Sequence, residues 1–252
     1  LSDIHLGTNA CRAADLHHFL QDVSADTIYL VGAIVDLKRM KSRPILPTEH
    51  RRVIGRLSEL AGNGTRVVFI PGTHEGEFRR VAGTDLWGIE IRKEVEHITV
   101  CGNRLLTIHG DILDASIREG TNLERFAAAV YSALLEADVR LQRLRSSLGR
   151  DFSPLSTRIK TRLSRAVEYI RRFERAAAAY AASRGFDGVV CGHIHRPGIR
   201  LIDGIRYAND GDWVEHRTAI AEDQAGQLLL LSYSPSGTTI LHAEAMRDRL
   251  AA

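Results

Sequence analysis

Two short β-rich runs separated by a helical stretch constrain this chain most. Thr27–Val31 and Arg66–Ile70 are dense in Val, Ile and aromatic residues and too short for helices, so both read as buried strands. Ahead of the first, Leu16, Phe19, Leu20 and Val23 recur at helical spacing. Between the two, Val53, Leu57, Leu60 and Ala61 share one helical face, with Thr48 expected as the cap and Gly62-Asn63-Gly64 as the stop. Strand–helix–strand alternation requires a right-handed crossover and a parallel sheet.

Further along, His97 to Val100 and Arg104 to Ile108 flank a Gly102-Asn103 turn and read as a hairpin. From Ile112 to Ser183 the pattern is almost wholly helical. Phe126, Val130, Leu134 and Ala137 share a face extended by Leu141 and Leu144. Gly149 to Pro154 interrupts, and a second helix carries Ile159, Leu163, Ala166, Ile170 and Phe173. Short strands then return at Gly188–Cys191, Gly198–Ile202, Ile205–Ala208, Thr218–Ala221 and Gln227–Tyr233, which predicts a second, mostly antiparallel sheet. The expected architecture is a layered α/β sandwich: two mixed sheets flanked by helices, one domain over residues 1–252, with a helical hairpin inserted at 113–183.

With 252 residues, 44% hydrophobic and 26% charged, the chain has the composition of an ordinary globule. No apolar run approaches the roughly 20 residues of a membrane span, and no signal-peptide pattern is visible. Leu1 is not Met and a motif begins at once, so preceding residues, including most of a first strand, are expected to be missing. Cys11, Cys101 and Cys191 show neither metal spacing nor an even count, which fits a reducing cytoplasm. Formal net charge is only +3, yet Arg118 to Arg175 holds thirteen Lys/Arg against seven acids. That basic segment is either a solvated helix face or a surface for an anionic partner. It lacks the interleaved aromatics of a nucleic-acid platform.

Five segments follow predicted strands: Asp3-Ile4-His5, Gly32-Ala33-Ile34-Val35-Asp36, Gly72-Thr73-His74-Glu75, His109-Gly110-Asp111 and Gly192-His193-Ile194-His195. Strand carboxyl ends gather on one rim of an α/β sheet, where ligands bind. Asp and His are ligands for Mn, Fe or Zn. In an Asp-x-His or His-x-His pair at a strand end, alternate residues are expected to point the same way. Asp36, Asp111 and Asp212 read as loop-supporting residues. His17, His18, His50, His97, His216 and His242 read as surface or structural, and Trp87 and Trp213 as packing residues.

The order of these segments resembles the calcineurin-like metallophosphoesterases, whose pattern is Asp-x-His, Gly-Asp-x-x-Asp, Gly-Asn-His-Asp/Glu, His and Gly-His-x-His. Ser2-Asp-Ile-His-Leu-Gly7, Ile108-His-Gly-Asp111, the helical insertion and Gly211-Asp-Trp-Val-Glu215 resemble, more narrowly, the UDP-2,3-diacylglucosamine pyrophosphatase branch. The resemblance implies a first metal on Asp3, His5 and His195, a second on His109 and His193, and a catalytic His74 beside the phosphate. It implies two divalent ions, manganese foremost and zinc or iron as alternatives, clamping a water and the phosphoryl oxygens. Arg79 and Arg80 are candidate phosphate-binding residues. Two ligand positions are substituted: Ala33 stands where the family has its bridging Asp, and Thr73 where it has Asn. A methyl group cannot coordinate and a neutral hydroxyl is a poor ligand, so the second site is short of donors. The implied reaction is hydrolysis of UDP-2,3-diacylglucosamine to UMP and an acyl-sugar phosphate in lipid A synthesis. The basic insertion would then meet acyl chains and the inner face of the inner membrane. No nucleic acid and no obligate protein partner are implied. The alternatives are an inactive binding protein of the same fold and another phosphodiesterase.

Overall fold

Apolar burial organises the strands into three sheets with helices packed on them. The computed structural model describes residues 1–42, 45–117 and 157–246. Helix α1 (Ala13–Asp22) buries Ala13, Leu16, Phe19 and Leu20 and leads into β1 (Thr27–Val31). After the short α2 (Leu37–Ser42), α3 (Thr48–Gly62) buries His50, Val53, Leu57 and Leu60 and leads into β2 (Arg66–Ile70). Thr48 is not the cap of α3: Pro47 holds that place, and the Thr48 hydroxyl instead accepts a bond from Arg51. Proline suits a helix start because its missing N–H is one the helix would leave unbonded.

β1 and β2 pair in parallel in register from Thr27/Arg66 to Val31/Ile70. Parallel pairing continues to β4 (Ile89–Ile91), which β3 (Asp85–Leu86) flanks antiparallel. The second sheet has the order β5-β6-β7-β9-β8, from β5 (Val95–Ile98), β6 (Arg104–Thr107), β7 (Gly188–Cys191), β8 (Gly198–Ile202) and β9 (Ile205–Asn209). Its centre, β6-β7-β9, is parallel and only the edges β5 and β8 run antiparallel. The expectation of a mostly antiparallel C-terminal sheet therefore fails at its core. β6 and β9 are both reached by connections that reverse the chain, so β7 enters between two strands of its own direction.

A third, antiparallel sheet comprises β10 (Thr218–Glu222), β11 (Gln227–Ser234) and β12 (Gly237–Ala245). The mixed α/β architecture with helix-flanked sheets is as expected, although hydrogen bonding divides the strands into three sheets rather than two. Trp213 is fully buried, its ring 5.0 Å from that of Phe19, beside Tyr233. Trp87, expected to pack, is instead exposed at a positive-φ turn between β3 and β4.

The chain divides into two compact units. One comprises Leu1–Ile112 with Ala177–Ala252, and the other Leu113–Ala176. The second unit includes α4 (Asp114–Ile117) and most of α5 (Thr157–Ser183), whose Ala166, Ile170 and Phe173 are buried. The helix expected to carry Phe126 through Leu144 lies outside the described residues.

Candidate metal centre

Backbone pairing brings the first two motifs side by side. The N–H of Asp3 donates to the carbonyl of Gly32 (3.0 Å), His5 to Ala33 (2.8 Å) and Leu6 to Ile34 (2.8 Å). Strand alternation does not orient the ligands. Asp3, His5, Ala33, His193 and His195 all have positive φ, between 49° and 70°. Left-handed backbone costs an L-residue about 1–2 kcal/mol, and such residues cluster where the surroundings over-determine a functional geometry.

Glycine makes the close approach possible. A β-carbon at Gly192 would lie 2.1 Å from Ser2 Oγ and 2.4 Å from Asp3 Oδ2. One at Gly72 would lie 2.6 Å from the His109 ring.

Asp3 is buried, and its two oxygens do different work. Oδ2 accepts from Ser2 Oγ and from the backbone N–H of His193, each at 2.7 Å. Oδ1 faces His195 Nε2 at 3.2 Å and His5 Nε2 at 3.9 Å. Two donors thus fix the carboxylate while its other oxygen points at two imidazoles. Burial alone would raise the Asp3 carboxyl, but His195, by charge and hydrogen bond, outweighs it with help from His109 and Ser2, so Asp3 titrates below the ordinary carboxylate range. Burial pulls His195 down, and the Asp3 charge and hydrogen bond, with Asp212, more than reverse this and carry it up to about 9. At His5 burial prevails over Asp3 and holds the imidazole at about 4. The metal-free centre is therefore an Asp3 carboxylate, a neutral His5 and a protonated His195.

One ligand atom from each of Asp3, His5 and His195 lies within 4.8 Å of the others. Two imidazole nitrogens and one carboxylate oxygen at that separation fit a divalent Mn, Fe or Zn ion, once His195 releases its proton.

The His109 and His193 rings approach to 5.1 Å between centroids. His109 Nδ1 lies 2.8 Å from the Val31 carbonyl, which can only accept, so Nδ1 carries the proton and Nε2 is left to ligate. No third donor arrives from the substituted positions. Ala33 presents a buried methyl group, and Thr73 Oγ1 is committed to Asp111 at 2.7 Å.

His74 stands edge-on to His5, with ring centroids 5.1 Å apart, and its Nδ1 is 3.7 Å from Asp36 Oδ1. It borders a cleft of about 280 Å³ whose wall also includes Lys41, Thr73, Glu77 and Arg80. Arg79 points elsewhere: its guanidinium binds both oxygens of Asp111 at 2.7 Å and the carbonyl of Pro71 at 2.9 Å. Asp212 caps a loop, accepting from the N–H groups of Val214, Glu215 and His216.

Glu75 is the site residue whose role the motif concealed. It is fully buried, and its carboxylate accepts from the N–H groups of Val35 (2.7 Å), Ala33 (3.1 Å) and Gly72 (3.2 Å), tying the second motif loop to the third. Burial pushes its carboxyl up to about 7 against the pull of those donors. Its place directly after His74 was the one available signal.

Residues 1–197 match the family Metallophos, the calcineurin-like phosphoesterases. The chain belongs to this family. Calcineurin-like phosphoesterases are metal-dependent hydrolases of phosphoesters, and the cluster of Asp3, His5 and His195 supplies a ligand group for such an ion. Among solved structures, a Vps29 single mutant from Entamoeba histolytica is 10% identical over 98% of this chain and 97% of its own, with a TM-score of 0.46. A phosphopantetheinyl hydrolase from Mycobacterium tuberculosis is 13% identical over 84% of this chain and 88% of its own, with a TM-score of 0.40. An archaeal phosphodiesterase is 11% identical over 96% and 97%, with a TM-score of 0.38. No curated protein sequence matches. Among the described residues, no helix is long and apolar enough to cross a membrane.

Proposed function

We propose that this chain hydrolyses phosphate esters or anhydrides with a divalent ion held by Asp3, His5 and His195. The carrying observation is the convergence of those three donors on one point, with Asp3 locked by Ser2 and the His193 N–H. When bound, the ion would supply positive charge to polarise a phosphoryl oxygen and acidify an attacking water. Asp3 and His5 need no proton change to ligate, whereas His195 must surrender one. Arg80 on the cleft wall is suited to hold phosphate oxygens, whereas Lys41 there pairs with the Glu77 carboxylate at 3.4 Å. His74 on the same wall is the residue to meet the leaving oxygen with a proton.

The finer reading is a pyrophosphatase of a nucleotide–lipid conjugate of the UDP-2,3-diacylglucosamine type. What supports it is sequence: the segments Ser2–Gly7, Ile108–Asp111 and Gly211–Glu215, and the basic stretch between Arg118 and Arg175. In this reading the basic stretch meets anionic lipid at the cytoplasmic face of the inner membrane. A second reading is an inactive binder of the same ligand, favoured by Ala33 and by the commitment of Thr73 to Asp111.

One experiment separates them. Protein purified without chelator is analysed for metal and assayed with and without Mn²⁺ on the lipid conjugate and on bis-p-nitrophenyl phosphate. Hydrolysis that Mn²⁺ stimulates and Asp3→Asn abolishes supports the enzyme, and a preference for the lipid conjugate supports the finer reading. Bound metal without turnover of either compound favours the binder.

A further inference from the structure

The turn that carries His5 is tied down by a histidine from another element. Up to Leu6 the N-terminal segment is held by pairing with the second motif: the Leu6 N–H donates to the Ile34 carbonyl at 2.8 Å, and the Leu6 carbonyl accepts from Asp36 at 2.9 Å. There the pairing ends and the chain turns back, with the Thr8 N–H and hydroxyl both donating to the His5 carbonyl, at 3.1 Å and 2.9 Å. Gly7 stands inside this turn with a φ of 98°, backbone that favours glycine. Its N–H belongs neither to the ladder nor to the turn, and it donates to His50 Nδ1 at 2.9 Å. His50 lies 43 positions along the chain, in the first turn of α3, and is buried. Nδ1 accepts only when it carries no proton, so His50 is the neutral tautomer with its hydrogen on Nε2. Burial favours that form, holding the imidazole below its ordinary range against the pull of the adjacent Glu49.

We propose that His50 is a positioning residue for the metal centre, its Nδ1 closing the His5 turn before an ion arrives. The inference rests on the metal-dependent reading, because the turn begins at His5. His5 has a left-handed backbone, with a φ of 55°, that an unsupported L-residue avoids. Its ring therefore stays beside Asp3 and His195 only while the turn is held. Met40 and Leu46, whose side chains also flank Gly7, are apolar and offer no comparable acceptor. Without His50 Nδ1 the Gly7 N–H must turn to water, the turn opens in the metal-free protein, and an ion has to close it again. Lost preorganisation of that kind is charged to ligand affinity. His50 touches neither ion nor substrate and acts through the Gly7 N–H alone.

Calorimetric titration with Mn²⁺ at pH 8 tests this on the wild type, Asp3→Asn, His50→Leu and His50→Asn, with circular dichroism as the check of each fold. Leucine keeps much of the volume of histidine but has no acceptor, whereas the asparagine amide oxygen can take the place of Nδ1. The expected result is a loss of about tenfold in Mn²⁺ affinity in His50→Leu and a value within about threefold of the wild type in His50→Asn. NMR of the metal-free wild type should show His50 protonated on Nε2, with a coupling across the hydrogen bond from the Gly7 nitrogen to Nδ1, a signature that packing alone does not produce. A folded His50→Leu that binds as tightly as the wild type overturns the proposal and leaves the metal site standing. So does a folded His50→Asn as weak as His50→Leu. Should neither variant fold, the wild-type spectrum decides: the coupling supports the tie, and a proton on Nδ1 overturns it. A wild type that binds no Mn²⁺, or an Asp3→Asn that binds as well as the wild type, overturns the metal-dependent reading and this inference with it.

Discussion

Binding of the first ion should be strongly pH-dependent, because His195 begins protonated. Its imidazole is carried from 6.5 up to about 9 once the Asp3 charge and hydrogen bond outweigh burial. An ion must displace that proton, while His5, held at about 4, and ionised Asp3 have none to lose at neutral pH. At pH 7 His195 lies well below its titration point of about 9, so proton competition weakens binding by roughly 100-fold. Affinity should therefore rise about tenfold per pH unit from pH 7 and level off near pH 9, with one proton released per ion. The same pairing stabilises the metal-free fold. A raised histidine contributes fully below pH 6.5, and the contribution, about 3 kcal/mol, is lost as pH climbs through 9. Mn²⁺ titrations under argon at pH 7, 8 and 9, each in two buffers of different ionisation enthalpy, measure both slope and proton count. An affinity that stays constant from pH 7 to 9, or no proton release at pH 7, refutes the His195–Asp3 pairing.

Other outcomes follow from the same geometry. Glu75→Ala strands three backbone N–H groups and should cost about 3–9 kcal/mol in urea unfolding, at about 1–3 kcal/mol per orphaned donor before water enters; a loss under 1 kcal/mol contradicts its role as the tie between the loops. Gly192→Ala places a β-carbon against Ser2 and Asp3 and should cost about 1–3 kcal/mol by overpacking, together with Mn²⁺ binding, in thermal melts with and without the ion. Ala33→Asp combined with Thr73→Asn should raise both bound metal and hydrolysis of bis-p-nitrophenyl phosphate, and unchanged values for both would disprove the ligand correspondence. Trp213→Ala empties a fully buried site and should destabilise the fold by about 3–5 kcal/mol.

Legibility in the sequence followed hydrophobic pattern. β1, β2 and β7 show their full length in runs of Val, Ile and aromatic residues, and α3 in the spacing of Val53, Leu57 and Leu60. β12 gave no such signal, because most of Gly237–Ala245 is exposed and its order comes from backbone pairing with β11. β3 and β4 are too short to display a period, and α2 is a single polar turn or so. At the centre, residue types such as the Asp3/His5 and His193/His195 pairs were visible as motifs. The manner of their convergence was not, since positive φ at Asp3, His5, His193 and His195 depends on contacts made by residues far apart in the chain. Nor did spacing reveal that Glu75 reaches back some forty positions to bind the N–H groups of Ala33 and Val35. Arg79 looked free to take a phosphate until Asp111 appeared against its guanidinium.

The most direct test is anomalous diffraction from crystals grown with Mn²⁺ and recorded on both sides of the manganese edge. A peak in contact with Asp3 Oδ1 and with nitrogens of His5 and His195 is the expected result. Crystals of protein shown to carry manganese that give no peak among those three side chains would contradict the account.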